Sequence, residues 1–223
     1  MKFETHLHTL ESSPCGQVEA KTAVREYVRA GYDGIVVTDH YGSYPLEWFT
    51  GSLEERLDQF LSGYRRAKEE GERLGLTVLF GAEIRLEEGP EDLLLYGLSP
   101  AFFLNRPDIY TVTLPELSEA VHTAGGVIVQ AHPYREPCRP RESAFLDGVE
   151  IYNGNPRHDS RNALAAAFAE KNELICTSGS DYHQLQDLAR GGIELQGPIR
   201  TEQDFKAALL TGTGRLIRPG GQE

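Results

Sequence analysis

The chain has 223 residues, a length that suits one domain of the α/β-barrel type. Its 22 Lys and Arg against 34 Asp and Glu give a formal net charge of −12, which disfavours nonspecific nucleic-acid binding. No apolar run approaches the ~20 residues that span a bilayer, and the N-terminus enters a predicted strand directly, without a signal peptide. Three cysteines without a CxxC pair are typical of a reducing compartment. We therefore expect a cytoplasmic protein with no membrane segment.

Strand-like and helix-like segments alternate along the whole chain. In chain order, the pattern predicts strand 2–8, helix 18–30, strand 34–38, helix 53–74, strands 76–84 and 93–96, helix 113–124, strands 126–130 and 148–152, helix 160–171, strand 174–177 and helix 201–210. Such repeated βα units favour a parallel sheet or barrel. We predict one domain over residues 1–217, a short flexible tail at 218–223, and irregular loops at 41–50 and 133–144.

Histidines and carboxylates stand at the ends of the predicted strands. The candidates are His6, His8, His40, Glu83, His132, Asp181 and His183. Each one taken singly could be an ordinary hydrogen-bonded or capping side chain. In α/β barrels, however, the loops after the strands carry the site, and imidazole with carboxylate is a metal-ligand set. Together these residues therefore predict a single metal centre.

Spacing and residue type suggest individual roles in that centre. His6 and His8 lie two apart on a strand, so their side chains point the same way. Asp39 could be a ligand or could hold the tautomer of a neighbouring histidine. A carboxylate such as Glu83 can bridge two cations, which an imidazole cannot do. For Glu150, we predict a buried role in support of the ligands.

The ordered motifs resemble those of the PHP (polymerase and histidinol phosphatase) superfamily. They are His6-Leu7-His8-Thr9, Thr38-Asp39-His40, Gly81-Ala82-Glu83, Ala131-His132-Pro133 and Gly179-Ser180-Asp181-Tyr182-His183, and they cover nearly the whole chain. The resemblance implies a distorted (β/α)7 TIM-like barrel with a metal site at the C-terminal ends of the strands. It also implies phosphoesterase activity and two or three divalent transition metal ions. By position, His6, His8, His40, Glu83, His132, Asp181 and His183 match the family's ligands.

Two positions depart from the family pattern. Many members have a ligand shortly after the first motif, where this chain offers Glu11 or Cys15; we favour Glu11 as the harder ligand. Many members also have a histidine shortly after the glutamate motif, where this chain has Leu94. This second departure bears on whether three metal ions can bind.

The ligand set implies a hydrolytic mechanism. Two cations about 3.5–4 Å apart lower the pKa of a shared water and clamp the oxygens of a phosphate, and the resulting hydroxide attacks phosphorus. We expect Glu83 to bridge the metals and Asp181 to hold a metal or orient the hydroxide. The mixed nitrogen and oxygen ligands admit Zn, Mn or Fe. Arg135 is a candidate to grip a phosphate oxygen, and Arg190, Tyr41 and Asn153 are further candidates for substrate contact.

These expectations favour a metal-dependent phosphoesterase acting on a small phosphorylated metabolite, including activity of the histidinol-phosphatase type. A phosphodiesterase or exonuclease acting on nucleotides is an alternative, although the composition shows no basic groove. A hydrolase of the amidohydrolase kind would use similar ligands but would want a Lys or His after a mid-chain strand, and no Lys stands there. A non-catalytic metal-binding barrel is the alternative outside the enzymes. The sequence does not indicate an oligomeric state.

Overall fold

A computed structural model describes residues 1–219 as a mixed α/β structure. The strands are β1 (Lys2–Glu4), β2 (Gly34–Val37), β3 (His40–Tyr41), β4 (Thr77–Phe80), β5 (Ala82–Arg85), β6 (Asp92–Tyr96), β7 (Val127–Gln130), β8 (Gly148–Asn153), β9 (Ile175–Gly179), β10 (Ile193–Glu194) and β11 (Arg215–Leu216). The helices are α1 (Ala20–Arg29), α2 (Ser43–Trp48), α3 (Leu53–Phe60), α4 (Ser62–Leu74), α5 (Ala101–Asn105), α6 (Leu114–Thr123), α7 (Asn162–Lys171) and α8 (Glu202–Leu210). Residues 220–223 of the predicted tail lie outside the described part.

The strands form two sheets. The first has the order β11-β10-β1-β2-β4, and the second has the order β3-β5-β6-β7-β8-β9. The chain passes from the first sheet to the second twice, from β2 into β3 and from β4 into β5. A parallel bridge between Leu7 and Tyr182 joins the segments that follow β1 and β9. Strands β1, β2 and β4 are neighbours in the first sheet, and the bridge brings the segment after β9 beside the segment after β1. Most of the candidate ligands belong to the segments that follow these four strands.

β6 runs antiparallel to both of its neighbours, β5 and β7, although the sequence pattern favours parallel pairing. Its register sets Glu83 opposite Leu94 and Arg85 opposite Asp92. The first residue of β6, and not its last, therefore lies beside the C-terminal end of β5. Leu94 is fully buried among apolar side chains that include Val36 and Val129.

The predicted helix over 53–74 forms two helices, α3 and α4, with a break at Leu61. The Ser12 hydroxyl donates to the Gln59 carbonyl at 2.9 Å and accepts from the Gly63 N–H at 2.9 Å. In a continuous helix these two backbone groups would bond to each other. The inserted hydroxyl thus accounts for the break and ties these helices to the loop that follows His8.

Two further predictions of local structure need correction. The predicted irregular loop at 41–50 contains α2. The predicted strand over 76–84 is divided at Gly81 into β4 and β5, which belong to different sheets. A Cβ at Gly81 would lie 2.9 Å from Val36 Cγ1 and 3.1 Å from the Leu95 carbonyl oxygen. The position at which the chain passes from one sheet to the other therefore favours glycine. Among the helices of residues 1–219, none has the length and apolar character needed to cross a bilayer.

Candidate metal centre

One buried carboxylate, that of Glu83 in β5, faces four imidazoles. Its Oε1 lies 3.2 Å from Nε2 of His6 and 3.2 Å from Nε2 of His132. Its Oε2 lies 3.3 Å from Nε2 of His8 and 2.9 Å from Nδ1 of His40. Glu83 is 1% exposed. The structure therefore places four of the other six candidate ligands around this one side chain.

Glu150 in β8 supports the ligands, in the buried position that the sequence suggested. Its Oε1 lies 2.9 Å from Nδ1 of His6, while Oε2 accepts from the His132 backbone N–H at 3.2 Å and from Asn153 Nδ2 at 2.8 Å. When Nδ1 of a histidine donates to a carboxylate, its Nε2 carries the free lone pair. Glu150 thus turns the lone pair of His6 towards Glu83 and Asp181.

Asp39 occupies a comparable position near His8. Its oxygens accept from the Thr9 N–H at 2.7 Å, the Thr9 hydroxyl at 2.8 Å and the Ser13 hydroxyl at 2.7 Å. Ser13 Oγ in turn lies 3.3 Å from Nδ1 of His8. These contacts favour the second of the two roles suggested for Asp39, in which it orients a histidine through Ser13. Burial raises the pKa of Asp39 to about 6, against the lowering effects of His8 and of these hydrogen bonds.

Several polar atoms of the cluster are buried without a hydrogen-bond partner among residues 1–219. They are Nε2 of His6, Nε2 of His8, Oε2 of Glu83 and Nδ1 of His132. Buried polar groups are normally satisfied, so these atoms require a partner that the protein itself does not supply. Imidazole nitrogens with a carboxylate oxygen form a donor set suited to divalent transition metals. The residues present therefore fit bound cations.

The electrostatics of the cluster favour charged carboxylates. Burial alone would raise the pKa of Glu83, but the charges of His6 and His40 hold it well below its ordinary value. The pKa of Asp181 is likewise held low, against burial, by His6, His8 and Arg135. Both carboxylates are therefore ionised at neutral pH, the state in which they can bind a cation.

Asp181, just after β9, connects this cluster to Arg135. Asp181 Oδ1 lies 3.5 Å from Nε2 of both His6 and His8, and Oδ2 lies 2.8 Å from Arg135 Nη2. Arg135 Nη2 also contacts Asn153 Oδ1 at 2.7 Å. Asp181 and His132 have positive φ, +51° and +27°, a region that non-glycine residues seldom adopt. Such strain is concentrated at functional sites.

His183 and Cys15 lie together beside this cluster. His183 Nδ1 donates to the Asp181 carbonyl at 2.9 Å, and His183 Nε2 lies 3.1 Å from Cys15 Sγ. Burial would raise the pKa of the Cys15 thiol, but hydrogen bonds from His183 and His40 lower it to about 5. Glu11, the residue favoured from sequence, lies elsewhere. Its carboxylate accepts from the Ala20 N–H at 3.0 Å, at the start of α1.

Sequence reasoning missed Asp92, which the structure places in the centre. Asp92 Oδ2 lies 3.9 Å from His132 Nε2, and ligand atoms of Asp92, His132 and Cys138 lie within 4.8 Å of one another. The family pattern has a histidine at the position of Leu94, and the sequence alone does not indicate that a residue two positions earlier lies nearer the site. Because β6 runs antiparallel to β5, the first residue of β6, Asp92, lies beside the C-terminal end of β5. The sequence feature that could have indicated Asp92 is a charged residue at the start of an otherwise apolar strand.

Two of the side chains predicted to contact substrate, those of Tyr41 and Arg190, form hydrogen bonds within the protein. Tyr41 is fully buried, donates its hydroxyl to the Pro107 carbonyl at 2.8 Å and packs against Phe60 and Phe103. Arg190 Nε donates to the Gly154 carbonyl at 2.9 Å.

A cleft of about 260 Å³ lies above the cluster, and Arg135 is one of the residues that line it. A larger cavity of about 480 Å³ adjoins it and shares Cys15, His40 and Arg85 with it.

Comparison with known proteins extends these observations. Residues 159–213 match the family model described as PHP-associated, a segment that contains Asp181 and His183. No curated protein matches the chain significantly.

Solved structures of low sequence identity share the fold. A two-domain protein from Bacteroides vulgatus, described as containing a predicted PHP-like metal-dependent phosphoesterase, has a TM-score of 0.75 and 19% identity over 98% of this chain, which spans 64% of that protein. PsfC from Pseudomonas syringae has a TM-score of 0.68 and 19% identity, with 98% of this chain and 91% of PsfC covered. An amidohydrolase from Chromobacterium violaceum with bound sulfate has a TM-score of 0.56 and 14% identity, with 99% of each chain covered.

Proposed function

We propose that the chain is a member of the PHP superfamily and, on that premise, that it is a metal-dependent phosphoesterase acting on a small phosphorylated metabolite. The premise rests on the ordered motifs, the PHP-associated match over residues 159–213 and the fold shared with a PHP-like protein. One observation carries the proposal: the single carboxylate of Glu83 faces four imidazoles at 2.9–3.3 Å. A carboxylate in that position is suited to bridge two cations.

We assign the ligands of two or three divalent ions, with Zn, Mn and Fe as candidates, as follows. The ligands are His6, His8, His40, Glu83, His132, Asp181 and His183. Bound divalent cations supply the Lewis acidity that polarises a phosphate and acidifies water. Glu150 and Ser13 fix the ring orientations of His6 and His8, which keeps their free nitrogens on the cluster.

Arg135 is the proposed phosphate contact. Its Nη2 is held by Asp181, Asn153 and the Ser160 hydroxyl, at 2.8, 2.7 and 3.0 Å. Within residues 1–219, its Nη1 forms no hydrogen bond, so that nitrogen is available to donate to a phosphate oxygen. Asn153 then acts by holding Arg135 and Asp181 in place, and not by touching the substrate. The proposal leaves out Tyr41, whose hydroxyl donates to the Pro107 carbonyl, and Arg190, whose Nε donates to the Gly154 carbonyl.

The (β/α)7 barrel that the motifs imply is part of the same proposal. Seven strand runs follow one another through the pairings: β1, β2 with β3, β4 with β5, β6, β7, β8 and β9. The Leu7–Tyr182 bridge links the last run to the first. This connectivity supports a distorted, closed arrangement with the metal centre at one end.

A monoesterase fits the small cleft of about 260 Å³ and the acidic composition better than an exonuclease, which would need a basic groove. Histidinol phosphate is one candidate substrate among small phosphate esters. An amidohydrolase is the second candidate, favoured by the fold shared with the Chromobacterium violaceum protein. A matched pair of substrates, p-nitrophenyl phosphate and p-nitroacetanilide, would separate the two hydrolytic activities.

The deciding experiment is hydrolysis of phosphate monoesters and diesters by chelator-treated protein, with Mn²⁺ or Zn²⁺ added back. His132→Ala is compared with wild type, and His122→Ala serves as the control because His122 lies partly exposed on α6, paired with Asp147. We expect metal-dependent turnover in wild type and His122→Ala, and its loss in His132→Ala. Tight metal binding without turnover on any ester would contradict the proposal and favour a non-catalytic metal-binding protein.

A further inference from the structure

A cavity of about 480 Å³ opens beside the metal centre. It shares Cys15, His40 and Arg85 with the smaller cleft above the cluster. Of the two, the smaller cleft is the one that Arg135, the proposed phosphate contact, lines. A phosphate bound in the smaller cleft therefore leaves the larger cavity free for another part of the same molecule. The volume of the cavity falls in the range of pockets that hold small organic ligands.

The walls of this cavity are fixed by the second sheet. Strands β3 and β5 pair in parallel, and the residues that follow them, 42–45 and 85–87, lie on the cavity surface. The backbone N–H of Glu87 donates to the Tyr110 carbonyl at 3.0 Å, which holds the second of these segments in place. The cavity is therefore formed before any ligand binds, as is usual for small-molecule sites.

Much of the lining is apolar or aromatic. Pro14, Tyr44, Pro45 and Leu86 all line the cavity. The side chain of Tyr44 is 70% exposed, so its ring is accessible to a ligand. Aromatic rings pack well against apolar and aromatic groups. The lining therefore suits a ligand with an apolar or aromatic body.

The charge of the cavity away from His40 is negative. Among the lining residues that the structure describes, Glu87 carries the one carboxylate. The hydrogen bond that Glu87 forms within residues 1–219 is through its backbone, and its side chain is exposed. The guanidinium of Arg85 is offset by Asp92, with Nε 2.8 Å from Oδ1 and Nη2 2.6 Å from Oδ2. Glu87 is therefore free to pair with a cationic group of a ligand.

We propose that this cavity binds the alcohol part of the phosphomonoester, and that this part combines an apolar or aromatic body with a positively charged group such as an ammonium. Tyr44 and Leu86 contact the body, and Glu87 pairs with the charge. The inference rests on the proposed function, since it requires the phosphate to occupy the metal centre. On hydrolysis, the water oxygen bonds to phosphorus as the ester P–O bond breaks. One water proton goes to the alcohol, and the products are that alcohol and inorganic phosphate.

The test compares three aryl phosphates that differ in the para substituent, which is a 2-aminoethyl, a propyl or a 2-carboxyethyl group. Methylene groups separate each terminal group from the ring, so the leaving phenols are similar and differences in kcat/KM report contacts of the substituent. With the full chain loaded with Mn²⁺, we expect kcat/KM of the ammonium ester to exceed that of the propyl ester by about 5-fold, the upper range for a partly exposed charge pair. The carboxylate ester should have the lowest value.

Glu87→Gln should bring the ratio of kcat/KM between the ammonium and propyl esters close to one, because the charge that pairs with the ammonium is lost. Glu47→Gln is the matched control. Glu47 is an exposed carboxylate of α2 that lies outside the cavity lining, and its removal should leave the ratio as in wild type. Equal kcat/KM for the two esters in wild type, or a ratio that Glu87→Gln does not change, would overturn the proposal.

Tyr44→Ala tests the contact with the body of the alcohol. We expect KM for all three esters to rise by about 2–10-fold, while competitive inhibition by inorganic phosphate stays as in wild type, because phosphate alone does not reach the cavity. Trp48→Ala is the control, since Trp48 is an exposed aromatic residue of α2 outside the lining. An unchanged KM in Tyr44→Ala would refute the contact.

Failure of the proposed function can be told apart from failure of this inference. If metal-loaded protein hydrolyses none of the three esters, the proposed function is wrong, and isothermal titration with the same esters decides the role of the cavity. A preference in affinity for the ammonium ester that disappears in Glu87→Gln would support the inference. Equal affinities for the three esters in wild type would refute it.

Discussion

Arg85 and Asp92 form a forked ion pair across β5 and β6, with Nε 2.8 Å from Oδ1 and Nη2 2.6 Å from Oδ2. The same carboxylate lies 3.9 Å from His132 Nε2. The ion pair therefore fixes the position of an acidic group beside one end of the metal centre.

Removing this arginine should weaken metal binding. In Arg85→Met the Asp92 carboxylate loses both of its anchoring donors, and we expect a decrease in metal affinity of about 10–100-fold, as for other residues that orient ligands. Competition with a chromophoric chelator measures it. Arg29→Met is the control, because Arg29 is an exposed residue of α1. Unchanged affinity in Arg85→Met would show that Asp92 does not take part.

Glu150→Gln tests the hydrogen bond that orients the ring of His6. The amide keeps the size of the side chain but removes the negative charge that holds the His6 Nδ1 proton at 2.9 Å. We expect a loss of about 10–100-fold in metal affinity, with little change in the circular dichroism spectrum. Isothermal titration of the stripped protein measures the loss. Glu142→Gln, an exposed substitution eight residues earlier, should bind as wild type does.

Ser12→Ala tests the break between α3 and α4. The substitution removes the hydroxyl that serves the Gln59 carbonyl and the Gly63 N–H. Leaving buried backbone groups without partners should lower the free energy of unfolding by about 1–3 kcal/mol. Urea denaturation of Ser12→Ala and of the exposed control Ser99→Ala measures the difference. A fully stable Ser12→Ala would indicate that the two backbone groups bond directly once the hydroxyl is gone.

Glu70 should make stability depend on pH. Hydrogen bonds from Arg73 and Arg25 lower the pKa of this carboxyl from 4.5 to about 2. Because the pKa is lower in the folded state, the stabilisation is complete above the unfolded value and is lost as pH falls towards the folded value. Wild type should therefore exceed Glu70→Gln in denaturation midpoint at pH 7, and the gap should close below about pH 4.5. A gap that is constant with pH would refute the ionic contribution.

Metal binding should stabilise the fold, since it satisfies the buried atoms that lack partners. At a free metal concentration 100 times Kd, binding to the folded state alone adds about 2.7 kcal/mol. We expect the melting temperature to rise with Zn²⁺ or Mn²⁺ and to return on chelation. Glu83→Gln should respond much less than His122→Ala, because Glu83 touches four of the proposed ligands. Equal responses would place the bound metal elsewhere.

The sequence predicted the elements whose causes are local, and it missed those that depend on distant contacts. Helix α1 falls within its predicted range, and Glu83 lies among the histidines as the strand-end positions indicated. The break at Leu61 could not be predicted, because it depends on Ser12, which lies far away in the chain. Neither the direction of β6 nor the position of Cys15 beside His183 follows from spacing, since both depend on how strands pair and loops turn.

Because β6 runs antiparallel to β5, the loop between these two strands can change the entrance to the metal centre. Residues 86–91 form a short connection between β5 and β6, and they contribute Leu86, Glu87, Gly89 and Pro90 to the two cavities. A connection between antiparallel neighbours can be lengthened or replaced without moving either strand, because no crossover helix has to be re-packed. Variation in this hairpin would therefore reshape the entrance while Glu83 and Asp92 stay in register, so related chains could acquire different substrates at constant metal geometry.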